Sequence, residues 1–422
     1  MATQSSETSL LLELYKAAIA AAQPAQCLPK WLPSPPTHGR TIVVGAGKAS
    51  AAMASVLESH WSAPLDGLVL TRRGYAMPCR QIEIVEAGHP IPDEDGYAAA
   101  QRIMERVSGL TEHDLVICLL SGGGSALLTL PAAGITLDDK RAITGQLLKA
   151  GATIHEINCV RKHLSASKGG RLALTCAPAR VVTLLISDVA GDALDVIASG
   201  PTVADPTSCQ DALDVLARYG VQLRDEVRLH LSSGRGETPK PGADFPPHQI
   251  HMLATPQTAL HAAAARAREL GLTPYILADD IEGESRDVAQ AMGAIARRVA
   301  LHGEPFQRPC VLLSGGETTV TVTGTGRGGP NGEFALALAL ALKGQSNVWA
   351  LAADTDGVDG SENNAGAFVT PVTLTAAQTV GLDARRCLDA NDSYRFFDAI
   401  GGLLVTGPSY TNVNDFRAVL IT

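Results

Sequence analysis

Two recurring arrangements in the sequence have the residue types for chemistry. The first is a glycine turn that follows a short apolar run. Lys48 lies in Gly45-Ala46-Gly47-Lys48-Ala49-Ser50 after Thr41–Val44, Ser121-Gly122-Gly123-Gly124-Ser125 follows Leu115–Leu120, and Ser314-Gly315-Gly316-Glu317 follows Val311–Leu313. Amide-rich turns at strand ends, and an ammonium at the start of a helix, favour anions. The second arrangement ends a run in aspartates: Asp188-Val189-Ala190-Gly191-Asp192 after Val181–Ser187, and Asp354-Thr355-Asp356-Gly357-Val358-Asp359 after Val348–Ala353. Such carboxylates suit a general base or a magnesium ligand. Phosphoryl transfer needs both kinds of group: donors and a cation for the phosphates, and a carboxylate to position a hydroxyl.

Each group also has a plain reading. A glycine run can be a tight strand-to-helix turn with no ligand, and Lys48 can be a snorkelling surface lysine, although its flanking glycines argue otherwise. Strand-end aspartates are often helix caps. His89, in Gly88-His89-Pro90, is a secondary candidate for substrate contact. Arg161, Lys162 and Lys168 form a basic cluster that can attract phosphate or carboxylate, or can simply complement a helix C-terminus. Asn331, Glu333 and Arg327 come from Gly326-Arg327-Gly328-Gly329-Pro330-Asn331-Gly332-Glu333. Asp354, Asp356 and Asp359 partly match a calcium loop but lack its closing glutamate, so magnesium or a hydroxyl is the better expectation.

These groups need elements to position them. The all-apolar run Leu115–Leu120 predicts a strand buried on both faces of a parallel sheet. Helices are expected over 8–22, from Ser50 to about His60, and over 137–150, 153–166, 256–270 and up to about 302. Strands are expected near 67–71, 82–86, 250–254 and 274–278, with an exposed one at Thr318–Thr323. Phe334–Lys343 alternates Ala and Leu with period two, yet these are strong helix formers and no β-branched residue intervenes, so a buried helix is predicted. The Gly- and Pro-rich stretch Ser232–His248 marks a domain boundary, giving an N-terminal domain of 1–238 and a C-terminal domain of 239–422.

Composition limits the function. The chain has 422 residues, 41 of them glycine, and only 4% aromatics, the profile of a two-domain α/β enzyme. A net charge of −9 argues against nucleic acid. The eight cysteines form no CxxC pair, and with no HExxH the sequence suggests neither zinc nor a disulfide framework. Glu7 and Glu13 without a basic leader argue against a signal peptide, and no apolar run is long enough for a bilayer. A cytoplasmic protein is expected.

Taken together, VVGAGKAS, AGHPIPDEDG, LLSGGGSALL, RKHLSASKGGRLA, LLISDVAGDALDVIASGPTVADPT, LLSGGETTV, GRGGPNGEFALA and AADTDGVDG resemble the class II glycerate kinases, from about residue 8 to the end. The resemblance implies a Rossmann-like N-terminal domain with a mainly parallel sheet, a C-terminal α/β domain of the MOFRL type, and an active site in the cleft between them. It implies ATP- and Mg2+-dependent phosphorylation of D-glycerate at the 2-hydroxyl, with a homodimer left open. In that family a lysine matching Lys48 and an arginine of a GRGGRNQE-type motif are the residues proposed for catalysis. Here Lys48 matches, Pro330 stands at the arginine's position, Gly332 replaces Gln and Arg327 is retained. GPSYTNVNDF also departs from the family's usual GPTGTNVND. The alternative is an NAD(P)H-dependent hydroxypyruvate reductase, which would use GAGKAS with Asp66 as a dinucleotide site; against it, Ser50 stands where the third glycine belongs. A non-catalytic nucleotide sensor would need to have lost the acidic groups, and they are present.

Overall fold

The computed structural model describes residues 5–422. The chain divides into two compact units. The first, Pro24–Ser187 with Asp192–Leu253, is built on a six-stranded sheet. Its strands are β1 (Thr41–Ala46), β2 (Asp66–Arg72), β3 (Ile82–Ala87), β4 (Leu115–Leu120), β5 (Arg180–Ile186) and β6 (His248–Ala254), in the order β3-β2-β1-β4-β5-β6. β1 pairs in parallel with β2 and β4, β2 with β3, and β4 with β5. Every residue of β1 and β4 is buried, because helices cover both faces of a parallel sheet. One face packs Ile42, Val44, Val116 and Cys118 against Ala99, Ala100 and Ile103 of the helix Glu94–Arg106. Asp93 starts that helix by accepting the Gly96 N–H.

The second unit contains the helix Ser6–Ala22, Asp188–Gly191 and Ala254–Thr422. Its sheet has β7 (Thr273–Ala278), β8 (Cys310–Ser314), β9 (Val348–Asp354), β10 (Gly366–Val369), β11 (Leu403–Leu404) and β12 (Asp415–Ile421), in the order β11-β10-β9-β12-β8-β7. Only β7 and β8 pair in parallel; the other pairings are antiparallel. The Ala/Leu segment is a helix, Pro330–Leu342, and Phe334–Ala339 are all buried in this unit's core.

Two expectations change. The strand near 250 does not open the second unit. β6 joins the free edge of the parallel sheet beside β5, where Val181 N–H donates to Pro247 and the Thr183 hydroxyl meets His248 Nε2 at 2.9 Å. The Gly/Pro-rich stretch is therefore internal to the first unit, and the division falls after residue 253 rather than 238. Thr318–Thr323 forms only the two-residue strand Thr318–Thr319, paired with Gly283–Glu284. Beyond it the Glu284 carboxylate takes Thr321 N–H and Asn391 Oδ1 takes Thr323 N–H, so side chains satisfy the backbone where a neighbouring strand would. Among the described residues no helix is long and apolar enough to cross a membrane.

Candidate active site

In the first unit the turns after β1 and β4 are tied together. Lys48 N–H donates to Gly122 O at 2.8 Å, Ala49 N–H to Ser121 Oγ at 3.0 Å, and Ser50 Oγ to Leu119 O at 3.0 Å. Gly47 has φ +150°, and a Cβ there would lie 2.1 Å from Ser121 Oγ, so only glycine permits this approach. Gly123, at φ +81°, precedes the short helix Gly124–Leu127; a Cβ on it would meet the His89 ring at 3.0 Å and the Lys48 stem at 3.4 Å. The Lys48 side chain, the His89 ring and the glycine backbone thus share one spot at the carboxyl ends of the strands. Gly45 itself is in register with Leu119 within the ladder. Ser125 Oγ lies 2.8 Å from Ser199 Oγ, and Ser199 Oγ donates to Asn158 Oδ1. Ala198 and Ser199 hold left-handed backbone, a strain that non-glycine residues tolerate where neighbours fix it.

The basic cluster divides into two. Lys162, almost fully buried, is bound by Asp195 at 2.9 Å and Asp205 at 3.2 Å, an internal ion pair that ties the helix Ile154–His163 to the loop after β5. Among the described residues Arg161 and Lys168 have no such partner: Arg161 reaches Asn158 Oδ1, and Lys168, 1% exposed, reaches Ala198 O, both at 3.5 Å.

In the second unit Asp188 is anchored by two asparagines of the TNVND segment: Asn412 Nδ2 donates to its carboxylate at 2.8 Å and Asn414 Nδ2 to its carbonyl at 2.9 Å. Asp192 belongs to the first unit and holds φ +54° after Gly191. Asp354 ends β9; its carboxylate accepts Asp356 N–H, and Asp356 in turn accepts Val358 N–H, both at 2.8 Å. Ser314, Gly315 and Gly316 are buried at the end of β8, and Glu317 is exposed. Gly315 O accepts from Arg417, which also pairs with Asp415. Glu333 is buried and taken up by Arg286 and Asn391, which accounts for it as a support of its helix. Asn331 Nδ2 donates to Asp415 at 2.6 Å, while its buried Oδ1 has no hydrogen-bond partner among the described residues. Arg327 is exposed, paired with Glu362 and stacked over the Tyr394 ring.

Asp359 accepts the N–H groups of Asn331 and Gly332 at the start of the helix Pro330–Leu342. Burial raises its pKa to about 7, nearby Asp415 adds to this, and the two N–H donors oppose it. The fold therefore holds this proton more tightly than the unfolded chain does. The stabilisation is complete below the ordinary carboxylate range and is lost as pH rises towards 7. We expect wild-type Tm to fall between pH 5 and 7, with a slope of up to about 1.4 kcal/mol per pH unit from this one proton, and Asp359→Asn to lose that slope. Melting curves across the range provide the check.

Several of these groups escape sequence reasoning. Asp415 reaches the helix start at Asn331 from the first residue of β12, and Asn158 and Ser199 look like ordinary helix and loop residues. Lys140 sits in Leu137-Asp138-Asp139-Lys140-Arg141, which reads as a solvated first turn after the Thr136 cap, yet it is buried.

Comparison with known proteins gives these groups a context. The family model described as a domain of unknown function, DUF4147, matches residues 10–232, and the MOFRL family model matches 310–415. A glycerate 2-kinase from Pyrococcus horikoshii is 42% identical over 91% of this chain and 88% of its own. The chain belongs to the MOFRL-type glycerate 2-kinase family. The crystal structure of a glycerate kinase from Thermotoga maritima superposes with a TM-score of 0.85 at 40% identity, covering 98% of this chain and 99% of its own. A protein from Agrobacterium vitis that carries a provisional hydroxypyruvate reductase name is 51% identical over 99% of this chain and 95% of its own.

Two sequence features of this glycerate 2-kinase family member have a physical reading in the fold. Pro330 occupies the first position of its helix, where a missing N–H costs nothing and the fixed φ suits the turn. Asp66 opens β2 rather than ending it and pairs with Arg106, so it stands at the opposite end of the strand from the glycine turns. A ribose-binding acid belongs at the same end as those turns, and the dinucleotide reading loses its acid.

Proposed function

We propose that this protein phosphorylates D-glycerate at its 2-hydroxyl, using ATP and releasing 2-phosphoglycerate and ADP. The observation that carries the reading is the convergence of Lys48, His89 and the Gly123 backbone where the β1 and β4 turns are tied together. Amide groups of the turns 45–47 and 121–125 would hold phosphate oxygens, and Lys48 would neutralise charge on the transferring group. The relatives named as glycerate kinases support the same chemistry.

In the second unit Asp188 would take the proton of the attacking hydroxyl, held in orientation by Asn412 and Asn414. Ser314, Gly315, Gly316, Glu317, Asn331 and Asp356 would contribute binding groups, and Arg327 a further cation. Among the described residues, the only three His, Cys, Asp or Glu ligand atoms gathered within 4.8 Å belong to His163, Cys209 and Glu237, and a thiol does not suit magnesium. Magnesium in kinases needs only one or two carboxylates besides phosphate and water, so the hard oxygens of Asp188 and Asp354 in the second unit, or of Asp192 in the first, would suit it as donors. When bound, the ion would offset phosphate charge.

The test is purified protein with D-glycerate and ATP-Mg, against hydroxypyruvate with NADH or NADPH. ADP release that depends on D-glycerate and Mg2+ is expected. Hydroxypyruvate-dependent cofactor oxidation without ADP release would overturn the reading.

A further inference from the structure

Among the described residues, two buried lysines and one half-buried arginine in the first unit have no carboxylate partner. Lys140 is 6% exposed, and its Nζ has no hydrogen-bond partner among the described residues. Lys168 is 1% exposed and touches one carbonyl at 3.5 Å; Arg161 touches one amide oxygen at the same distance. Their charges bear on one another: burial, with repulsion from Arg161 and Arg171, pushes the Lys140 ammonium down to about 7, and burial with Lys140 and Arg161 lowers Lys168. Among the described residues none of the three forms an ion pair with a carboxylate, although Lys162 next door has two.

Burying one unpaired ammonium is costly, and gathering three cations compounds the cost by mutual repulsion. A fold tolerates this when an anion enters to offset it. The cluster is continuous with the glycine turn after β4, since Arg161 contacts Asn158, Asn158 accepts from Ser199, and Ser199 meets Ser125. Lys168 reaches the neighbouring carbonyl of Ala198.

We propose that Lys140, Arg161 and Lys168 form an oxyanion subsite, open to the substrate carboxylate or to a nucleotide phosphate. The subsite rests on the kinase reading for the names of its ligands but not for its existence. Bound oxyanion would receive charged hydrogen bonds from two ammonium groups and a guanidinium, which orient it towards the serine and glycine turn.

Lys140→Met and Lys168→Met test this in the full chain, with Lys149→Met on the same helix as an exposed control. Without ligand, Lys140→Met should melt at or above wild type, because it removes an unpaired buried charge. Inorganic phosphate, D-glycerate or ADP should raise wild-type Tm, and Lys140→Met should lose the rise. Losing a charged hydrogen bond should raise KM by about tenfold to a hundredfold, for glycerate if the carboxylate is bound there and for ATP if a phosphate is. Lys140→Gln serves as the second variant if the methionine form does not fold. Wild-type KM for both substrates and an unchanged ligand-induced Tm rise in the Lys140 and Lys168 variants would overturn the subsite while leaving the kinase reading intact. A ligand-induced rise that needs Lys140, in a protein that releases no ADP, would support the subsite and overturn the kinase reading.

Discussion

Lys48→Ala is expected to lower kcat a few hundredfold while the protein melts close to wild type. Phosphoryl transfer takes little covalent help from the enzyme, so fixed positive charge accounts for much of its rate, and removing one well-placed cation commonly costs on the order of 3–4 kcal/mol. The Tm should hold because the turn is held by backbone groups and serines: Lys48 N–H to Gly122, and Ala49 N–H to Ser121. Alanine preserves both. Pro330 opens its helix and brings no charge, and Arg327 is engaged by Glu362. Steady-state kinetics with a melting curve on the same preparation decide it, and full turnover in Lys48→Ala would return the residue to the solvated surface.

Asp188→Asn should lower kcat about a hundredfold or more, the usual contribution of a positioned general base. The exchange keeps shape and leaves an oxygen to accept from Asn412, and the bond from Asn414 goes to the main chain, so the variant should stay folded. Wild-type turnover would make Asp188 an anchor for the TNVND segment and nothing more.

What could be read beforehand follows local physics. β4 was legible because six apolar residues in a row leave few alternatives to a doubly covered strand, and the helix from Pro330 because Ala and Leu outweigh their own alternation. The glycine turns were legible because glycine runs mark close backbone approach, as Gly47 against Ser121 shows. Long-range pairing was not. Lys162 and Lys168 look alike in sequence, yet Asp195 and Asp205 pair with the first, while among the described residues the second meets no carboxylate. Lys140 hides inside a charged helix start, and Asp359 caps a helix that begins 29 residues before it. The Thr318–Thr323 strand failed because alternation records which faces are wet and says nothing about whether a partner strand exists.

The helix Ser6–Ala22 packs with the unit that the rest of the chain completes only at its very end. Tyr15 donates to Asp354 O, Thr411 donates to Ala22 O, and Glu13 pairs with Arg266. On the ribosome this amphipathic segment emerges before every strand of the sheet it packs against. At about 5–20 residues per second the wait is roughly 20–80 s, during which Leu11, Leu14 and Ala18 have no core to enter. The parallel-sheet unit, contiguous but for a short excursion, can close meanwhile. Birth order and assembly order are thus inverted for the first helix, and the nascent chain must keep an apolar face unmatched until its last strand is made.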